Sequence, residues 1–368
     1  MFIARVEALQ KNLEQHEMDV LAVLPGPSFI YLTGISFHLS ERPIMALFPR
    51  NGTPLLVLPR FERSKAETAQ IEFKSFDYDE NPSNQIKALL SAASELGAGR
   101  LKIGVEPLSM RYEELNLLER AMPEATILPA DALLTALRGI KDDFEIESMR
   151  RAAQIAEQAL EATLPLIKVG MTEIELASEL VIQLLRAGSE PDLPFYPIVA
   201  SGPNAALSHA VPGERKLAAG DVLVIDWGAR MNGYVSDITR TFAISEVDPE
   251  LERLHEIVKR ANSAGIAAIQ PGAKCSDIDR AARNIIESAG YGEHFTHRTG
   301  HGIGLAIHEN PYIRGDNDEK LSPGMSFTVE PGIYLQGKLG VRIEDNIVVS
   351  DDGVQILTSM PRDIQTIS

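Results

Sequence analysis

Residues Asp221 to Ala243 read DVLVIDWGARMNGYVSDITRTFA, and the rest of the chain is organised around this stretch. The first arm, Val222 to Trp227, is apolar and β-branched. The second, Tyr234 to Phe242, alternates and is rich in Thr. Asn232-Gly233 supplies turn chemistry, so the pattern predicts a β-hairpin. A turn centred between Met231 and Asn232 sets Asp226 opposite Asp237. Two carboxylates facing each other across a strand pair stand ~4.5–5.5 Å apart at Cβ and repel. A cation between them removes that repulsion; two solvated aspartates on an exposed face are the plain alternative.

A second hairpin repeats the pattern. Ser326 to Leu335 reads as one strand and Leu339 to Val349 as its partner, with Gly337 and Gly340 at the reversal. Glu330 and Glu344 are equidistant from Gly337 and should face each other. Between the hairpins lies Gly300-His301-Gly302-Ile303-Gly304, where glycine lets backbone approach closely. Four carboxylates and one imidazole suit two divalent ions, whose four positive charges balance the four negative ones.

The chain of 368 residues suggests two domains. Its hydrophobic content of 44% is that of a globular protein. A net charge of −17 argues against nucleic-acid or anionic-membrane partners. Cys275 is the single cysteine, which excludes an intrachain disulfide and makes a reducing cytoplasm the expected location. The first fifteen residues carry charges throughout and do not read as a signal peptide. No apolar run is long enough to span a membrane.

Taken in order, Met1 to His16 has Phe2, Val6, Leu9 and Leu13 at helical spacing. Val20 to Leu24 reads as a buried strand. Ile44 to Phe48 and Leu55 to Leu58 flank Asn51-Gly52 and read as a hairpin. Ser83 to Leu96 is a helix, Leu101 to Val105 a strand and Met110 to Met122 a helix. This predicts an α/β domain with a mixed sheet over residues 1–130. Residues 123–142 read as the linker to a second domain, 131–368. Phe144 to Leu164 and Ile174 to Ala187 are helices, the second opened by a Thr172/Glu175 capping box. Two further helices, about Pro249 to Ala268 and Ser276 to Ala289, precede the second hairpin. The second domain thus reads helix, helix, hairpin, and then the same order again.

Five segments resemble one known family: SGPNAALSH (Ser201 to His209), DWGARMNGYVSDITRTF (Asp226 to Phe242), HRTGHGIGLAIHENP (His297 to Pro311), MSFTVEPGIY (Met325 to Tyr334) and GVRIEDNIVV (Gly340 to Val349). They are similar to those of the M24 metallopeptidases with the pita-bread fold: prolidases, aminopeptidase P and methionine aminopeptidases. IYLTG (Ile30 to Gly34) and RGIKDDFEIESMRRA (Arg138 to Ala152) resemble the prolidase, aminopeptidase P and creatinase branch, which carries an extra N-terminal α/β domain. The fold implied is α/β, with a C-terminal pita-bread domain behind a smaller mixed-sheet domain.

The resemblance implies metal ligands at Asp226, Asp237, His301, Glu330 and Glu344. Asp237 and Glu344 would bridge two ions. Mn²⁺ is the first expectation, with Co²⁺, Zn²⁺ or Fe²⁺ as alternatives. A water shared by the ions would attack the scissile carbonyl. Glu330 would shuttle its proton to the leaving nitrogen. His308 would reach the carbonyl oxygen, and His209 would contact substrate. Simple strand geometry sets His301 and His308, seven apart, on opposite faces. Arg342 shares a face with Glu344 and would either orient it or bind a substrate carboxylate. Ser208 and Ala306 depart from the family pattern, which more often has Pro and Asp there. His255, His294 and His297 read as structural.

The activity implied is Xaa-Pro cleavage by a cytoplasmic dipeptidase or aminopeptidase acting on a proline-containing peptide, and the resemblance also implies a homodimer. Hydrolysis of another small amide is the second reading. A non-catalytic binding module is the third, disfavoured by the intact ligand set.

Overall fold

The computed structural model describes residues 1–97 and 99–367. The chain divides into two compact units, Met1–Arg138 and Gly139 onward. The division lies inside the expected linker but past the expected boundary after residue 130. The reason is that residues 131–138 form a helix whose Leu133, Leu134 and Leu137 are buried.

The first unit runs α1 (Phe2–Gln15), β1 (Val20–Val23), α2 (Pro27–Thr33), β2 (Met45–Pro49), β3 (Leu55–Pro59), α3 (Arg63–Ala66), β4 (Lys74–Tyr78), α4 (Ser83–Glu95), β5 (Lys102–Val105), α5 (Tyr112–Ala121), β6 (Thr126–Pro129) and α6 (Asp131–Arg138). Its six strands form one mixed sheet in the order β4-β3-β2-β1-β5-β6. β2 and β3 are the hairpin about Asn51-Gly52, and β1 runs parallel to β5. Val20, Leu47, Val57 and Ile103 from its central strands pack with Leu89 of α4 and Leu118 of α5. The strands absent from the sequence reading, β4 and β6, are the two outermost. Their residues are mostly half-buried or exposed, so neither carries a continuous apolar run.

The second unit begins with α7 (Asp143–Thr163) and α8 (Glu173–Arg186). Each opens with a reciprocal capping box, Asp142 with Glu145 and Thr172 with Glu175. There follow β7 (Ile198–Ser201), β8 (Val222–Trp227), β9 (Arg230–Met231), β10 (Tyr234–Val235) and β11 (Ile238–Ile244). Next come α9 (Pro249–Ala267) and α10 (Cys275–Ser288). The chain then runs through β12 (Gly300–Gly302), β13 (Glu309–Ile313), β14 (Ser326–Val329), β15 (Gly332–Leu335), β16 (Leu339–Arg342), β17 (Asp345–Ser350), β18 (Gly353–Ile356) and β19 (Gln365–Ile367). One sheet has the order β19-β11-β8-β7, and another β13-β12-β14-β17-β18. The α7–α8 pair buries Leu160, Leu176, Leu180 and Leu184 against Ile225, Trp227 and Phe242. Trp227 is fully buried, and its indole N–H donates to the Ala156 carbonyl at 2.8 Å. On the other side, α9 and α10 bury Leu254, Val258 and Ile286 with Val341 and Ile343.

Register decides where the carboxylates go. In the first hairpin Met231 pairs with Tyr234 and Asp226 with Thr239. The centre therefore lies between Asn232 and Gly233, one position later than expected. Both residues have positive φ, 53° and 80°, as a two-residue type I′ turn requires. Asp226 then faces Thr239, and Asp237 lies one diagonal step away on the same face. In the second hairpin Ser326 pairs with Val348 and Gly332 with Arg342, so every pair is centred on Gly337 as expected. Both ladders are interrupted. The gap in the first holds Asp237, and the gap in the second holds Glu330 and Glu344.

Candidate metal centre

The second unit brings the acidic gap residues to one place. Asp237, His301 and Glu344 are buried, and one candidate ligand atom from each lies within 4.8 Å of the others. His301 Nε2 is 3.5 Å from Asp237 Oδ2 and 3.4 Å from Glu330 Oε1. Backbone bonds knit the ligand strands together. The Glu344 N–H donates to the Thr239 carbonyl at 3.1 Å, and the Glu330 N–H to the Thr299 carbonyl at 2.8 Å. The glycines flanking His301 serve this approach. A Cβ on Gly300 would stand 1.8 Å from the Thr328 carbonyl oxygen, and one on Gly302 would stand 2.3 Å from that of Asn310.

Asp226 is held from the second hairpin. Arg342 Nη2 donates to Asp226 Oδ2 at 2.6 Å. The same guanidinium donates to Thr239 Oγ1 at 3.0 Å, the Tyr334 hydroxyl at 3.0 Å and the Ser208 carbonyl at 3.2 Å. Arg342 therefore braces Asp226 rather than Glu344. Its strand ends at Arg342, so the two-residue spacing to Glu344 no longer fixes a shared face. Tyr334 also contacts His297 Nε2 at 2.9 Å, which ties one of the histidines read as structural into this network. The sequence did carry a signal for Tyr334: a phenol on an apolar strand needs a hydrogen-bond partner once buried.

His308 is the clearest departure from strand geometry. Its ring meets that of His301 edge to face with centroids 4.2 Å apart. The strand expected between them ends at Gly302, and 303–308 is a loop that folds the second histidine back. Asp226, Asp237, His301, Glu330 and Glu344 line one cavity of about 610 Å³, together with His209, His308 and Arg342. Phe195, Ile198 and Ile307 give it an apolar wall, and Arg298 and Arg314 add two further cations.

Burial sets the electrostatics of the site. Burial, reinforced by neighbouring carboxylates, pushes the Asp237 and Glu344 carboxyls well above their ordinary range. Burial likewise raises Glu330 and lowers His301. His308 keeps part of its surface open to solvent; desolvation by the cavity wall and then the neighbouring His301 push it down to about 4, so its ring is neutral near pH 7. Asp226 Oδ1 is buried with no hydrogen-bond partner among the described residues. Four converging carboxylates, an unsatisfied oxygen and a neutral imidazole form a donor set that fits divalent cations which prefer oxygen ligands.

Comparison with known proteins agrees with this chemistry. Residues 147–351 match metallopeptidase family M24, and residues 5–140 match the creatinase/prolidase N-terminal domain. The chain is similar to a recombinant prolidase from Thermococcus sibiricus, with 33% identity, a TM-score of 0.94 and coverage of 100% of this chain and 99% of that one. It is similar to an X-Pro aminopeptidase from Thermotoga maritima, at 32% identity and a TM-score of 0.88, covering 98% and 99% of the two chains. It is also similar to a Xaa-Pro dipeptidase from Bacillus anthracis, at 32% identity, a TM-score of 0.90 and full coverage of both. No helix among the described residues is long and apolar enough to cross a membrane. The buried acid cluster, the two interrupted hairpins and these matches lead to one assignment: the chain belongs to metallopeptidase family M24.

Proposed function

We propose that this protein hydrolyses Xaa-Pro bonds in short peptides, with Asp226, Asp237, His301, Glu330 and Glu344 holding two divalent ions. The observation that carries the reading is Asp226 Oδ1, buried with no hydrogen-bond partner among the described residues, beside the buried Asp237, His301 and Glu344. Ions bound there would lower the pKa of a water and polarise the scissile carbonyl. The oxygen-rich donor set favours Mn²⁺, with Co²⁺, Fe²⁺ or Zn²⁺ able to substitute.

The remaining work falls to side chains. Glu330, whose carboxyl is raised by burial, takes a proton from water and returns it to the leaving nitrogen. That nitrogen belongs to proline in the substrate class proposed, and it accepts a proton as readily as any amide nitrogen. Neutral His308 offers one ring N–H to the carbonyl oxygen as negative charge develops there. His209, also on the cavity wall, contacts the substrate. Phe195, Ile198 and Ile307 supply apolar surface for a pyrrolidine ring. The cavity volume suits a dipeptide or a short peptide.

A substrate panel on metal-reconstituted protein tests this reading. Ala-Pro should be cleaved and Ala-Ala left intact. Equal cleavage of both would replace Xaa-Pro specificity with general dipeptidase activity. An Ala-Pro-Ala arm separates dipeptidase from aminopeptidase.

A further inference from the structure

Each carboxylate-bearing gap in the hairpin ladders is backed by a side-chain amide. In the first hairpin Asp237 has no ladder partner. Its N–H donates to Asn346 Oδ1 at 3.0 Å, and its carbonyl accepts from Asn346 Nδ2. The side chain of Asn346 thus pairs with Asp237 as a neighbouring strand would. In the second hairpin the gap keeps one long backbone bond, Ile343 N–H to the Pro331 carbonyl at 3.4 Å, and the glutamate N–H groups bond to Thr299 and Thr239 outside the hairpin. The carbonyls just before the two glutamates are those of Val329, at the edge of the gap, and Ile343, within it. Both face Asn262, which is fully buried in the middle of α9. Its Nδ2 donates to the Val329 carbonyl at 2.9 Å and approaches that of Ile343 at 3.4 Å. It also donates to Asp345 Oδ2 at 3.1 Å.

Asn262 Oδ1 has no partner among the described residues, although it is buried. Leaving such an oxygen unsatisfied costs about 1–3 kcal/mol. A leucine, which has the same branching, would carry no such unsatisfied oxygen. The amide therefore needs a compensating role, and its N–H groups point to one. Asp345 extends the device. It accepts from Arg240 Nη2 at 2.8 Å, while Arg240 Nη1 donates to the Thr239 and Glu344 carbonyls at 2.9 and 2.7 Å.

We propose that Asn262 and Asn346 are positioning residues, whose amides replace missing ladder bonds and hold Asp237, Glu330 and Glu344 at chelating distance before any ion binds. A backbone left in regular pairing would turn these carboxylates to fixed alternate faces. A backbone left unpaired would have to be ordered by the ion itself, at the expense of affinity. The side-chain amides keep the gaps open and rigid together.

This inference rests on the reading of the five residues as metal ligands, and the experiment separates the two. Metal-free wild-type protein is titrated calorimetrically with Mn²⁺. No binding at all would sink the metal reading itself. With wild-type binding established, Asn262→Leu and Asn346→Leu are titrated at a temperature where circular dichroism shows them folded. The expected result is affinity about 10- to 100-fold weaker in each. Leu184→Ala, a core truncation in α8, should lower the melting temperature and leave affinity unchanged. Wild-type affinity in both asparagine variants, or an equal loss in Leu184→Ala, overturns the proposal. Hydrogen exchange on wild-type protein decides the matter even where the variants fail to fold. Amides of 326–330, 237 and 342–346 should stay equally protected with metal and after chelation. Protection that appears only with Mn²⁺ would show that the ion, not the asparagines, orders the gaps.

Discussion

Arg342 and Asp226 come from different hairpins and meet at 2.6 Å, both buried. The bond makes the acid of one ribbon depend on the base of the other. Arg342→Met removes the cation and leaves Asp226 buried and unpaired. Breaking such a pair costs about 3–5 kcal/mol. Urea denaturation of the metal-free variant should show that loss, and saturating Mn²⁺ should recover part of it. A loss of less than about 1 kcal/mol would mean the pair contributes no more than an exposed one.

Under the proposed dinuclear reading, Asp237 and Glu344 would be shared between the two ions. Asp237→Asn and Glu344→Gln should each lower the metal content by at least one ion per chain, as read by elemental analysis of dialysed protein. Unchanged stoichiometry in either variant would count against a bridging role for that residue.

His308 packs on His301 yet is proposed to act on substrate. His308→Ala should therefore keep its metal and lose turnover by about 10²- to 10³-fold, the usual effect of removing one donor to a developing oxyanion. Elemental analysis and kcat on Ala-Pro check the two halves of this statement. Wild-type kcat would remove the role.

His255 offers a pH test away from the ligands. Burial in α9 pushes its pKa from 6.5 down to about 4. The folded state thus holds it neutral while the unfolded chain protonates it. Its contribution is fully present above the unfolded pKa of about 6.5 and is lost as pH falls toward the folded value of about 4, by about 3 kcal/mol in all. His255→Leu should flatten that limb of the stability profile. Identical pH dependence in the variant and the wild type would show that other groups set it.

Much of this site was legible because its residues are chemically costly where they lie. Asp226, Asp237, Glu330 and Glu344 interrupt apolar strands, where buried carboxylates are costly unless a cation neutralises them. The second hairpin could be registered from sequence, because Glu330 and Glu344 are symmetric about Gly337. The first could not be registered by assuming that its aspartates face each other. Asn232 and Gly233 both take positive φ, and this turn chemistry shifts the pairing by one position. The loop that returns His308 to His301 left no periodic trace. The outer strands β4 and β6 were missed because an edge strand has few neighbours to bury against. Asn262 was invisible for another reason: nothing in a helix sequence shows that its amide serves a strand.

The shared register of the second hairpin has a consequence for how this chain can vary. All its pairs are centred on Gly337, across the gap as well as within both ladders. Adding or deleting one residue at the tip would exchange inward and outward side chains along one arm. Glu344 would then turn away from Asp237 and His301 while the ribbon itself stayed paired. Loop length at 336–338 is thus under chemical rather than architectural control, and natural length variation should be found elsewhere on the surface.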